Sequence, residues 1–203
     1  MIYLLRHGQT VWNAIGRLQG HRDSPLTARG IAQAQAMGSL LAETLAVDGS
    51  EMPRVVASPL GRAWQTAAIV ADRIGVEAAE ITLEPRLAEI AFGAWEAHRE
   101  VDLARSFPEA WAKRQADKWN YPVPGGESYA QVAARLQDWL AELNGGGPLV
   151  AVGHGGAGRI LRGLYLGASP EEIFAIDEPQ DGFFRLQDGC VTRFDVAEAD
   201  ARL

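Results

Sequence analysis

Two short runs constrain this chain more than anything else in it. Ile2-Tyr3-Leu4-Leu5 and Leu149-Val150-Ala151-Val152 are apolar at every position. A strand with one wet face alternates apolar and polar residues, so an unbroken run reads as a strand covered on both faces. Arg54–Ala57 and residues 81–83 read as further buried strands. Longer stretches with helical spacing lie between them. Thr27 is placed to cap a helix through Ile31, Leu40 and Leu41. A second helix is expected after Pro59, a third over residues 129–143 and a fourth from near Gly156. Asn144-Gly145-Gly146-Gly147-Pro148 should stop the third. This alternation predicts a three-layer α/β/α fold around a mostly parallel sheet. Near the end, β-rich runs flank Asp188-Gly189, a hairpin signal that predicts an antiparallel edge. Residues 96–127 differ, with Trp111, Trp119, Tyr121, prolines and scattered charge. They read as a small helical and loop excursion lying like a cap over one domain that spans residues 1–203.

Composition narrows the function classes. A chain of 203 residues that is 47% hydrophobic has enough apolar surface for one full core. Its single cysteine, Cys190, rules out an internal disulfide and fits a reducing cytoplasm. Arg6 and His7 interrupt the amino terminus before a signal peptide could form, and no uncharged run is long enough to cross a bilayer. The net charge of −7 argues against a nucleic-acid or anionic-membrane surface. An anionic substrate would therefore need a local positive island.

The charged residues that could build one follow the apolar runs. Arg6 and His7 come directly after the first strand, Arg62 after the second, and Gly153-His154-Gly155-Gly156 after the strand at Leu149. Glu89 follows the run ending at Leu83. In open α/β sheets ligands bind beyond the carboxyl ends of strands, so all five side chains are expected at one sheet edge. Arginine offers a planar fork matched to phosphate oxygens, and a glycine-flanked helix start adds backbone donors. Among such cations His7 should be neutral, leaving a nitrogen able to attack phosphorus. Glu89 is the acid placed to protonate the leaving alkoxide, which requires it to start protonated. A metal is not expected, because the candidate ligands are interleaved with arginines and no His-x-His or His-Glu-x-x-His spacing occurs.

These residues belong to longer motifs. Leu4-Leu5-Arg6-His7-Gly8-Gln9-Thr10-Val11-Trp12-Asn13 is followed by Gln19-Gly20, Pro25-Leu26-Thr27, Gly30 and Gln33-Ala34. Ser58-Pro59-Leu60-Gly61-Arg62-Ala63 and Leu87-Ala88-Glu89-Ile90-Ala91-Phe92-Gly93-Ala94-Trp95-Glu96 come next, then Pro124-Gly125-Gly126-Glu127-Ser128 and Gly153-His154-Gly155-Gly156. In this order they resemble the histidine phosphatase superfamily, which includes cofactor-dependent phosphoglycerate mutases. The resemblance implies that His7 is the phosphorylated nucleophile and Glu89 the proton donor. It implies a phosphate clamp of Arg6, Arg62 and His154, with Asn13, Gln19, Gly20 and Gly155 as further substrate contacts. It implies no cofactor and a small phosphorylated metabolite as partner. One departure is Ala97, where the family usually has glycine after the acid block, so the shape of that loop is open.

Other residues have plainer readings. His21 and His98 read as solvated or loop residues, and Trp12, Trp64 and Trp95 as core or core-edge packing. Trp111, Trp119 and Tyr121 read as packing within the excursion, with lining a substrate pocket as the alternative. The leading function is a metal-free phosphatase acting on small phosphate monoesters. A mutase returning the phosphoryl group to product is the first rival, although residues 96–127 lack the added basic blocks of such enzymes. A silent phosphate-binding module is the second. The edge hairpin is able to pair with a second copy, and a monomer fits equally.

Overall fold

The computed structural model describes residues 1–143 and 145–196, which leaves Asn144 of the expected helix stop outside the described residues. Its centre is a six-stranded sheet: β1 (Ile2–Arg6), β2 (Arg54–Ala57), β3 (Thr82–Leu83), β4 (Leu149–Gly153), β5 (Gly182–Gln187) and β6 (Cys190–Asp195), in the order β3-β2-β4-β1-β5-β6. The first four strands run parallel, while β5 and β6 complete the expected antiparallel edge. The hairpin turns through Asp188 and Gly189 at φ of 51° and 73°, the left-handed pair that suits a two-residue turn.

The helices are α1 (Val11–Ala14), α2 (Ala28–Asp48), α3 (Gly61–Ile74), α4 (Leu103–Ser106), α5 (Pro108–Ala116), α6 (Tyr129–Glu142), α7 (Gly155–Leu166) and α8 (Pro170–Ala175). Thr27 caps α2 as expected, its side chain accepting from Gly30 N. Alternate residues of the apolar strands feed opposite layers. Tyr3, Leu5, Val150 and Val152 pack with Met37, Leu41 and Val70 of α2 and α3. Ile2, Leu4 and Ala151 pack with Leu136, Trp139 and Ile160 of α6 and α7. Complete burial of each large apolar side chain contributes about 2 kcal/mol, and only a covered sheet lets both faces do so.

Three expectations change. The buried strand over residues 81–83 is the two-residue β3, exposed because it forms the outermost strand beyond β2. Trp64 is 42% exposed rather than packed, because it sits on the outward side of α3. Trp119 leaves the excursion, stacking on Tyr129 and meeting Phe174 edge-on. The rest of the excursion has its own small core of Trp95, Leu103 and Val123, joined by Phe107 and Trp111.

Candidate active site

The strand ends bring the motif residues together. His7 N donates to Gly153 O at 3.0 Å, so the chain leaves β1 still tied to β4. The turn that follows needs glycine. A Cβ on Gly8 would overlap Gly30 O, and one on Gly30 would overlap Gln9 O. That close approach docks the loop on the first turn of α2, and Gly8 N is satisfied by Thr66 Oγ1 at 3.1 Å.

His7 is buried with both ring nitrogens engaged. Nδ1 lies 2.7 Å from Gly8 O, an acceptor only, so it carries the hydrogen and donates. Nε2 then has the lone pair, and it accepts from Arg62 Nε at 3.3 Å. Burial holds the imidazole well below its ordinary value, and the Arg62 and Arg6 charges push it further down. A neutral imidazole whose Nε2 lone pair faces the Arg62 guanidinium is able to attack an anion that this group holds.

Arg62 is buried and anchored on three sides. Its Nη1 donates to Asp23 Oδ1 at 2.7 Å and to Arg22 O at 2.9 Å, and Nη2 donates to Gly20 O at 2.8 Å. The Asp23 carboxylate also receives Gly61 N and Arg62 N at the start of α3. One side chain therefore caps the helix that carries Arg62 and fixes the fork of Arg62 itself. Arg6 is held by Glu178 O through Nη1, while its Nε is buried without a protein partner.

His154 stands behind His7, with ring centroids 5.1 Å apart. Its Nε2 shares a hydrogen bond of 2.7 Å with Ser58 Oγ, and Nδ1 is buried and unpartnered. Burial holds this ring also well below its ordinary value, helped by Arg62, His7 and Arg6. The Glu89 carboxylate accepts from Ile90 N at 3.0 Å and, at the start of α7, from Gly156 N at 3.2 Å and Ala157 N at 2.9 Å. Asn13 Oδ1 is occupied by Thr10 N and Thr10 Oγ1, and Gln19 Oε1 by Ser24 Oγ. Both amides thus keep their NH₂ groups for another acceptor.

Arg6, His7, Asn13, Gln19, Gly20, Arg62 and Glu89 line one cavity of about 310 Å³, the volume of a small-ligand site. His154 does not line it, contrary to expectation, because it lies behind His7, and neither does Gly155. The space beside its Cα is filled by the Glu178 carboxylate and the Arg6 guanidinium, so it serves close packing. His21 is exposed, as expected, but its Nε2 lies 2.9 Å from Glu89 O. His98 is exposed and packs edge-on against Phe107. Trp111 fulfils both of its readings, packing on Trp95 and lining the cavity.

Sequence reasoning missed several residues. Asp23 lies between motifs already noticed, and Gln180, which donates to His7 O at 3.1 Å, precedes β5. Glu178 and Arg159 line the cavity and pair at 3.0 Å. The strand-end rule points to none of them except Arg159, on the helix face four residues beyond Gly155. Among the described residues no group of three or more His, Cys, Asp or Glu side chains is placed to hold a metal ion, and no helix is long and apolar enough to cross a membrane.

The chain belongs to the histidine phosphatase superfamily (branch 1), whose pattern matches residues 2–192. It is 36% identical over 203 residues to a protein of Enterobacter sp. (strain 638) named "Probable phosphoglycerate mutase GpmB", covering 98% of this chain and 86% of that one. Among solved structures it is similar to the α-ribazole phosphatase of Shigella flexneri, with a TM-score of 0.79 and 26% identity over 96% of this chain and 95% of the other. It is also similar to the mycobacterial glucosyl-3-phosphoglycerate phosphatase in complex with VO3, with a TM-score of 0.74 and 29% identity over 91% of this chain and 92% of the other.

Proposed function

We propose that this enzyme hydrolyses small phosphate monoesters through a phosphohistidine at His7, without a metal ion. The observation that carries the reading is the unprotonated His7 Nε2, 3.3 Å from Arg62 Nε, in the cavity that Glu89 lines. Arg6, Arg62 and the orphaned His154 Nδ1 would take the phosphate oxygens, supplying charge stabilisation where it develops. Nε2 attacks phosphorus, the P–O bond to the ester oxygen breaks, and Glu89, which this reading requires to enter the step protonated although both its oxygens accept backbone N–H bonds, gives that oxygen its proton. Glu89, now a carboxylate held by the α7 amides, takes a proton from water. The water oxygen attacks phosphorus and the P–N bond breaks, leaving alcohol, inorganic phosphate and free His7. The lone, exposed Cys190 agrees with a cytoplasmic setting.

The names of the structural relatives support hydrolysis. The GpmB relatives support a second reading, in which phosphohistidine returns its phosphoryl group to another hydroxyl of the product. One experiment separates them: phosphate release from a panel of monoesters and phosphoglycerates, with chelator present and His7→Ala as control. Chelator-resistant, His7-dependent release is expected. Bisphosphate-primed isomerisation of phosphoglycerate that outpaces release would replace this reading with the mutase.

A further inference from the structure

Arg6, His7, Arg62 and His154 sit at a strand end or at the helix start that follows one. Glu89 does not. It lies between two 3₁₀ turns, Pro85–Leu87 and Gly93–Trp95, in a stretch with no strand partner of its own. The bonds from Ile90 N and from α7 hold its carboxylate only as well as the backbone beneath it is held. Carbonyls in such a stretch need partners from elsewhere, and one side chain supplies two of them. Arg135 of α6 donates from Nη1 to Arg86 O and from Nη2 to Glu89 O at 3.2 Å. His21 Nε2 adds a second donor to Glu89 O.

The Arg135 fork is itself braced. Glu127 accepts from its Nε at 3.0 Å and its Nη2 at 3.2 Å. The same carboxylate accepts from Ala91 N at 2.9 Å, while Glu127 N donates to Ala91 O at 2.8 Å. Although burial works against it, the bonds from Arg135 and Ala91 N keep the Glu127 carboxyl below its ordinary value, so the pair is ionised. Pro124-Gly125-Gly126-Glu127-Ser128 takes no part in the hydrolysis, yet its last three residues all serve this contact. A Cβ on Gly126 would overlap Ala91 O. Ser128 caps α6, the helix that brings Arg135 back to the acid. Neither Glu127 nor Arg135 lines the cavity. A structural ion pair would explain their bond to each other. It does not explain why the fork also grips two carbonyls of the acid block.

We propose that Arg135, braced by Glu127, is the positioning residue of the acid: it fixes the backbone beneath Glu89 so that the carboxyl meets the ester oxygen, and it touches no substrate itself. This rests on the reading of Glu89 as proton donor given above. An alkoxide must be protonated to leave, whereas 2,4-dinitrophenolate leaves unaided. A residue that acts through Glu89 therefore matters for the first kind of ester and not for the second.

The test is kcat/KM for the best alkyl ester of the panel and for 2,4-dinitrophenyl phosphate, which reports the steps up to loss of the ester oxygen. Arg135→Met should lower it about 100-fold on the alkyl ester, the scale of a misplaced catalytic group, and less than about threefold on the dinitrophenyl ester. Glu127→Gln should show the same imbalance at about tenfold, because the fork keeps its carbonyls but loses its charged brace. Adding Arg135→Met to Glu89→Gln should cost nothing beyond Glu89→Gln alone. Equal losses on both esters in Arg135→Met would mean that it holds only the fold, and would overturn the proposal. An additive loss in the double variant would overturn it too. If Arg135→Met does not fold, balanced losses in Glu127→Gln overturn it as well. Glu89→Gln separates the two levels: if it lowers both esters alike, the reading of Glu89 as the acid fails, and Arg135 has nothing to position.

Discussion

The base of the cavity and its outer wall are built in different ways. At the base, Arg6, His7 and Arg62, with His154 behind them, leave buried strands or the helix starts that follow them, and His7 and Arg62 are held by fixed partners. The outer wall comes mainly from short helices on a core of a few side chains, with cations stacked on aromatic rings. Rigid elements can hold reacting groups to a fraction of an ångström, whereas connecting segments can change without disturbing them. On the proposed reading, chemistry sits on the first kind of support and substrate choice on the second.

The sharpest way to break that contrast is to remove one group from each side. His7→Ala should lower kcat by about 10⁴-fold or more on every ester, because the covalent route disappears. Trp111→Ala should change kcat by less than about tenfold and instead reorder the esters by KM. Steady-state kinetics over one ester panel checks both. Equal loss on all esters in both variants would show that the wall belongs to the chemistry.

Asp23→Asn probes the base more finely. The carboxylate positions Arg62 without lining the cavity, so its loss should cost about 10- to 100-fold in kcat/KM by misplacing the fork. The effect should be absent when Arg62 is already alanine, since the two act as one unit. Additive losses in the double variant would mean that Asp23 acts elsewhere.

How legible each region was follows from how it is built. Strand ends can be read from apolar runs, so His7, Arg62, His154 and Glu89 were found, and the family resemblance supplied their roles. Asp23, Gln180 and Glu178 lie in loops, where neither periodicity nor a strand end marks a residue. Their importance comes from partners 19 to 173 positions away. Apolar character misled for residues 81–83, which suggested burial although the sheet ends at β3. Trp119 shows that hydrophobicity says a ring will be covered but not by what, and Trp64 shows that a ring can stay exposed. The outer cations come from a stretch without a basic block, and their convergence depends on Arg159, distant in sequence.

Acid should expose the base before it exposes the wall. His7 and His154 are held neutral in the fold, well below the value near 6.5 that an unfolded chain would show. The unfolded state therefore binds more protons below that pH. The stability they confer is complete above about pH 6.5 and is lost as pH falls, at up to about 1.4 kcal/mol per pH unit for each ring. Glu178, pushed up by burial, works in the opposite sense, so the comparison must be made against a variant. Melting temperatures between pH 6.5 and 4.5 should fall less steeply in His7→Gln than in wild type. Parallel curves would mean that His7 is charged in the fold. By the same reasoning, the acid limb of kcat/KM should lie below pH 6.5.

The smallest effect lies at the seam between the two regions. Ala97 takes a left-handed φ of 69°, the conformation that glycine would adopt at the place where this chain departs from the family pattern. The loop shape therefore survives the substitution, held by Ala97 N on Leu18 O at 2.9 Å and Leu18 N on His98 O at 3.0 Å. An alanine there costs roughly 1–2 kcal/mol relative to its preferred backbone, part of which glycine would return to the unfolded chain as entropy. Ala97→Gly should thus stabilise the protein by up to about 1 kcal/mol, a rise of roughly 2–4 °C in melting temperature for a chain of this size. Its rank order of esters should stay as in wild type, because the contacts that join cap to base are main-chain bonds that glycine can make. A rise in stability with a reordered panel would mean that Ala97 tunes the cap, and that the seam, too, helps choose the substrate.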